Sequence, residues 1–506
     1  MPTRVRRAAL LAILFALVAS PMFAAPAVNQ WLALPAQGGG SAFGAEAVVW
    51  GAETGPDGRL YAFGAFTNAG GDPTADYLAV RDPVTGAWSG LGSDGHGNGA
   101  FNSYVYDIAF QGTQVIAVGA FSSAGGDPRV DDFAVWNGST WGTRSAGSGT
   151  PFTNGAVSTV DVSGQDIYVG GSFLDADGVA TADRVARWNG TAWSGLTPTG
   201  TTNGSLNGPV FALDALLDGR VYVGGSFTSA AGDTRAARIA WFDGIGRTWQ
   251  GIREAGLTGP AIANGQVSDL AVVGRRVYVA GTFTDVAGAP GADYVASWSG
   301  AAWQAMGQNA ANSATGAGPL DAAAIALRTY GGAVIVAGSF SNAGGNGAAD
   351  CVAAWNGSAW LNLGVPSPAS VGTPRCTHGS VSSRTYTATG AFASLAGLDA
   401  SAGIAQFGLP TGPSAPQALV ATAATKAISL TWNAPASNGG AAITDYVVQY
   451  RVAGTSTWRT FADGIRTTRS ATVAGLVAGT AYDLRVAARN GWATGSFTAP
   501  VRKTAG

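Results

Sequence analysis

The 506-residue chain contains only two cysteines, two histidines and three methionines. Cys351, Cys376, His96 and His378 are too few for a His-rich metal site or a structural zinc. Charge is also scarce: Asp, Glu, Lys and Arg make up 11% of the residues, less than half the usual share of about 25%. With a net charge of -2 and no basic block, the electrostatic footprint of a nucleic-acid binder is missing. No apolar run reaches the ~18 residues expected of a membrane helix. Glycine, by contrast, is in excess at 76 residues, but no G-X-Y period accompanies it, which excludes collagen. Sixteen tryptophans and 46% hydrophobic residues describe a chain with a large core.

The first residues read as an address. Arg4, Arg6 and Arg7 precede an apolar run from Ala8 to Ala19, and Ala25-Pro26-Ala27 offers a small-residue cut site before Val28. That order is the order of a secretory signal, and the run is too short to span a ~30 Å hydrocarbon core. The expectation is a cleaved signal over 1–27 and an exported protein, secreted or held at the cell surface, with no membrane span in its mature part. Arg outnumbers Lys 26 to 2 beside abundant Ala and Gly, which fits a GC-rich bacterial source.

A long repeat follows. Ile167–Phe173 (IYVGGSF), Val221–Phe227 (VYVGGSF) and Val277–Phe283 (VYVAGTF) are copies of one segment. Their terminal Phe belongs to a ladder of Phe66, Phe121, Phe173, Phe227, Phe283, Phe340 and Phe392, each with Gly two positions earlier. Trp88, Trp141, Trp193, Trp249, Trp303 and Trp360 follow the first six at 20 or 22 residues, and Trp31 supplies a seventh from the beginning of the chain. Each unit reads as four short antiparallel strands, with Asn-Gly (Asn137-Gly138, Asn189-Gly190, Asn356-Gly357) between the third and fourth as for a type I′ hairpin. Units of this kind at this spacing predict an all-β fold: a seven-bladed β-propeller over 28–409, its last blade closed by the N-terminal strand.

The pattern VYVGGSF…VARWNG…WSGL resembles the repeats of kelch-type and galactose-oxidase-like propellers, and more closely those of fungal cortical polarity markers. Copper oxidase activity is not implied, because the two histidines lie 282 residues apart and in no recognisable motif. Pro410–Pro413 reads as a linker. Beyond it, over 414–506, Ser429–Pro435 (SLTWNAP) and Leu476–Asn490 (LVAGTAYDLRVAARN) resemble a fibronectin type III sandwich. The resemblance implies a core role for Trp432 and a tyrosine corner at Tyr482.

What recurs in every unit is read as fold, and what breaks the repeat as function. The Phe and Trp ladders are then core, each ring worth ~4–6 kcal/mol of gross burial. Asp76, Asp131, Asp183, Asp293 and Asp350 recur before the third strand and are expected to bond a loop. Asp107, Asp161, Asp214 and Asp269 fall on the innermost strands, where paired carboxylates are one route to glycosidase-like chemistry. Asp175-Ala176-Asp177-Gly178 hints at calcium without the Glu of a full loop; otherwise no cofactor is expected. Cys351 and Cys376 are disulfide candidates, free thiols being the alternative. The long fourth-to-first connections are rich in Asn, Gly, Ser and Thr, and they nominate Phe101, Asn102, Tyr104, Phe152, Asn154, Asn203, Asn207, Asn309 and Asn312 as a surface for a glycan or a surface protein. The leading expectation is a non-catalytic binding, adhesion or envelope-scaffold protein. A carbohydrate-active enzyme and a purely structural matrix component are the alternatives.

Overall fold

The computed structural model describes residues 27–37, 39–44, 47–147, 149–152, 154–309, 318–364, 375–392, 395–398 and 401–506. The expected signal over 1–27 therefore lies, but for its last residue, outside the described residues. Among the described residues, seven four-stranded antiparallel sheets are followed by a β-sandwich. The third sheet is typical: Val157–Ser163, Asp166–Gly171, Val185–Trp188 and Trp193–Gly195 pair in sequence order. The seventh consists of Arg375–Ser382, Thr385–Ala391, Ile404–Gly408 and, from the other end of the chain, Trp31–Ala33, with Trp31 opposite Phe407.

Local chemistry accounts for the unit. The second strands carry β-branched and aromatic residues that are buried almost throughout, as in Asp166–Gly171. They end at a glycine or one residue past it because the first strand passes so close: a Cβ on Gly171 would stand 2.3 Å from the Ala156 carbonyl oxygen. Each first strand bulges near its start, as between Val157 and Thr159 and between Val105 and Asp107. The Asn-Gly turns are not type I′. Asn137 keeps an ordinary backbone while Gly138 takes φ 104°, and the Asn137 side chain accepts the N–H groups of Ser139 and Thr140 at 2.9 Å each. A four-residue Asx-type turn of this kind needs only one left-handed residue.

The expected closed β-propeller requires correction. Strand pairing ends at the edges of each four-stranded unit, and among the described residues no sheet closes on itself. The region is a series of separate four-stranded sheets. The physical reason is that neighbouring units meet through side chains: Tyr61, Phe63 and Leu78 of the first sheet pack with Val105, Ile108 and Val115 of the second. Polar links reinforce this packing at the outer strands, where every ladder Trp but Trp88 donates its indole N–H to the preceding unit. Trp141 bonds Leu91 O at 2.7 Å, Trp193 bonds Arg144 O at 2.7 Å, Trp249 bonds Leu196 O at 2.8 Å and Trp303 bonds Ile252 O at 3.0 Å.

The C-terminal sandwich sets Gln417–Ala424, Ala427–Asn433 and Ser470–Ala474 against a larger sheet built on Ile443–Val452 and Ala481–Asn490. Trp432 is buried beside Tyr446, ring centroids 5.3 Å apart, and the Tyr482 hydroxyl accepts the Val477 N–H at 3.2 Å. This sandwich rests on the sixth sheet: Trp492 is buried with its ring 6.1 Å from that of Tyr330, and the Asn356 side-chain amide donates to Gly491 O at 2.9 Å. Among the described residues no helix is long and apolar enough to cross a membrane.

Candidate functional site

The first strands of all seven sheets line one cavity of about 1190 Å³, within the upper range of ligand sites. Each contributes one strongly ionisable side chain: Glu53, Asp107, Asp161, Asp214, Asp269, Arg328 and His378. All sit at the third or fifth residue of the inner strand, counted from its bulge, so the shared strand geometry aims them at one space.

Four of the acids act across sheet boundaries. The Asp107 carboxylate accepts Val160 N–H of the third sheet at 3.0 Å, and Asp161 accepts Ala215 N–H of the fourth at 2.8 Å. Asp214 accepts Val272 N–H of the fifth sheet at 2.9 Å, and Asp269 accepts Leu327 N–H of the sixth at 2.7 Å. These carboxylates staple each inner strand to the next. Burial pushes the Asp107 carboxyl up to about 7 and Asp214 up to about 6, and raises Asp161 as well.

The remaining groups form a buried ionic cluster. Arg328 reaches Asp269 at 3.2 Å and Glu53 at 3.3 Å, and donates to Nε2 of His378. Burial opposes the Arg328 charge, but the carboxylates of Glu53, Asp269 and Asp107 outweigh it and hold its pKa above the ordinary value. Burial and the Arg328 charge depress His378, which suits a neutral ring whose Nε2 accepts. For Glu53 burial works upward, yet contacts to His378 and Arg328 prevail and keep it below the usual carboxylate range.

Between the first and second sheets an aromatic group flanks this cavity. Trp50 and Tyr106 line it with ring centroids 5.1 Å apart. Tyr104, 43% exposed, packs edge-on against Trp50 at 5.0 Å and against Tyr77 at 5.9 Å. Rings of this kind, half buried and edged by polar groups, suit the flat apolar faces of sugars.

Of the residues nominated from sequence, Tyr104 stands in this group. The others are placed differently. Phe101 is a core residue, 3% exposed and 4.7 Å from Phe121; Phe152 is 1% exposed and 4.9 Å from Phe173. This is a correction with a physical cause: both rings fold inward from their loops to fill the gap between ladder Phe and outer Trp. Asn102 and Asn207 clamp loop to loop, accepting the N–H groups of Ser122 at 3.0 Å and Thr228 at 2.8 Å. Asn309 is buried and donates to Asn342 O at 2.9 Å. Asn154 and Asn203 are exposed, and Asn312 lies outside the described residues.

The acids before the third strand bond loops: Asp76, Asp131, Asp183, Asp293 and Asp350 accept N–H groups eight residues upstream at 2.7–2.8 Å. In the calcium-like segment the Asp177 carboxylate accepts from the Ser145 hydroxyl at 2.5 Å and Ala146 N–H at 2.8 Å. Among the described residues no group of three or more His, Cys, Asp or Glu is placed to hold a metal ion. Cys351 and Cys376 form a disulfide linking the sixth and seventh sheets, with Cα atoms 5.5 Å apart. Sequence reasoning missed Glu53, Arg328, Trp50 and Tyr106; position on the inner strand was the signal that would have found them.

A family model for the fibronectin type III domain matches residues 414–504, and the sandwich is such a domain. The match gives no support to kelch-type repeats over 28–409. Among solved structures the chain is similar to a multi-domain segment of titin, at 25% identity over 24% of this chain with TM-score 0.18. It is similar also to titin kinase and its flanking domains, at 27% identity over 19% of this chain with TM-score 0.18, and to the twitchin kinase region of C. elegans, at 25% over 19% with TM-score 0.18. The chain covers 39%, 17% and 17% of the lengths of those three.

Proposed function

We propose that this chain is an extracellular-type, non-catalytic binding or scaffold protein that presents the loop end of its separate sheets to a glycan. The observation that carries this reading is the aromatic group of Trp50, Tyr77, Tyr104 and Tyr106 beside the cavity, with one ring well exposed. Glycosidase-like chemistry needs a carboxyl pair free to exchange protons with substrate. Here Asp107, Asp161, Asp214 and Asp269 each commit an oxygen to the backbone of the next sheet, which favours binding over hydrolysis. The Cys351–Cys376 disulfide supports an oxidising compartment, in keeping with export by a cleaved leader. On this reading the fibronectin type III domain holds the sheets away from their attachment.

A glycan array probed with the exported chain tests the proposal. Saturable binding to one glycan class that falls at least tenfold in Trp50→Ala and Tyr104→Ala supports it. Binding to none of the glycans leaves the matrix-component reading standing in its place.

A further inference from the structure

A second cleft, of about 430 Å³, lies between the second and third sheets at the loop end. Asn102, Ser103, Ser122, Asp131 and Asp132 line it, and the buried Phe152 ring lies behind them. Asp132 occupies the residue that enters the third strand, where one unit after another adopts the left-handed backbone: Tyr77, Asp132, Arg184, Arg238, Tyr294 and Cys351 have φ between 54° and 66°. The backbone is therefore architectural, and only the side chain differs.

At most of these positions the side chain is already occupied. Tyr77 packs on Tyr104, Arg184 and Arg238 donate to Ser172 O and Ser226 O, and Cys351 bonds Cys376. Asp132 instead has a partly buried carboxylate with no hydrogen-bond or ion-pair partner among the described residues. Beside it the Asn102 amide donates to the Ser122 oxygen at 3.0 Å, which leaves the Ser122 hydroxyl proton free to donate outward. Asp131 keeps one oxygen on Ser123 N–H at 2.8 Å and has a second to offer. Two acceptor carboxylates and the hydroxyls of Ser103 and Ser122 form a set complementary to adjacent alcohol groups on a pyranose ring.

We propose that this cleft is a carbohydrate subsite in which Asp132 accepts hydrogen bonds from a vicinal pair of sugar hydroxyls while Ser122 donates to one of them. The inference rests on the glycan reading above and assigns it a second contact point. Burial and the neighbouring Asp131 charge push the Asp132 carboxyl up to about 7, as befits a poorly hydrated acceptor.

The test titrates the full exported chain with the methyl glycoside of the strongest array hit and with its deoxy analogues lacking either hydroxyl of the vicinal pair. Asp132→Asn is isosteric and Asn tolerates the left-handed backbone; Ser122→Ala is a second, independent variant. Each is expected to weaken the parent glycoside at least tenfold, and wild-type affinity is expected to rise between pH 6 and pH 8 as the carboxyl ionises. The deoxy analogues should lose affinity for wild type but little further for Asp132→Asn. Unchanged affinity in both variants, with loss in Tyr104→Ala, overturns the subsite and leaves the glycan reading in place. Absence of glycan binding by wild type overturns both.

Discussion

Asp161→Ala probes the inter-sheet staples most cleanly. The carboxylate accepts Val162 N–H at 2.7 Å on its own strand and Ala215 N–H at 2.8 Å on the next sheet. Alanine supplies neither acceptor, and stranding a buried donor costs ~1–3 kcal/mol. Because the site borders a cavity from which water can reach part of the strand, about 2 kcal/mol is the expected loss. Asn keeps one of the two acceptors and escapes the burial of a charge, so Asp161→Asn should lose about 1 kcal/mol, less than alanine. Guanidinium unfolding followed by Trp fluorescence reads both values, with the slope unchanged and only the midpoint lowered. Hydrogen exchange at Ala215 should accelerate in the alanine variant. Wild-type stability in Asp161→Ala would refute the staple and return the carboxylate to the list of groups available for chemistry.

Three further outcomes follow from the same geometry. Arg328→Met strands Glu53 and Asp269 in the cavity and should cost about 3 kcal/mol or more, with part regained in the Glu53→Gln/Arg328→Met double variant by the same unfolding titration. Cys351→Ser opens a bridge between residues 25 apart and should cost about 3 kcal/mol; a reductant should lower wild type equally and leave the variant unmoved. Asp107 and Asp214, at about 7 and about 6, hold protons in the folded chain after the unfolded chain has released them near ~4. Their contribution to stability is complete below about pH 4 and is lost as pH rises through 6 to 7, so Asp107→Asn should flatten the stability–pH curve over that window.

The strand count of each unit was legible because its causes are local: a Phe that needs Gly two residues earlier, a Trp that opens the outer strand, and Asn before a left-handed Gly. Pairing between units was not legible, since a packed side-chain seam and a shared hydrogen-bond ladder leave the same alternation in the chain. Phe101 and Phe152 were misread as exposed because their loops look solvated. Yet Phe43, Phe101, Phe152, Leu206, Ile262 and Leu320 recur at 58, 51, 54, 56 and 58 residues, and all are buried. The rule that recurrence marks fold, applied to this third ladder, would have placed them in the core. Asn102, Asn207, Asn264 and Asp321 repeat one or two residues later as loop clamps, accepting N–H groups at 2.7–3.0 Å. Arg328 escaped notice, and His378 was set aside, for the opposite reason: they stand where other units carry acids, and their role arises only when seven inner strands share one cavity.

The most direct measurement is a calorimetric titration of the exported chain with its strongest array glycan, with released sugar assayed in the same cell. The account predicts saturable heat, at least tenfold weaker binding in Tyr104→Ala, unchanged binding in Asp269→Asn, and no released sugar. Sugar release by wild type that disappears in a folded Asp269→Asn variant would contradict it, because the inner carboxylates would then be reacting groups.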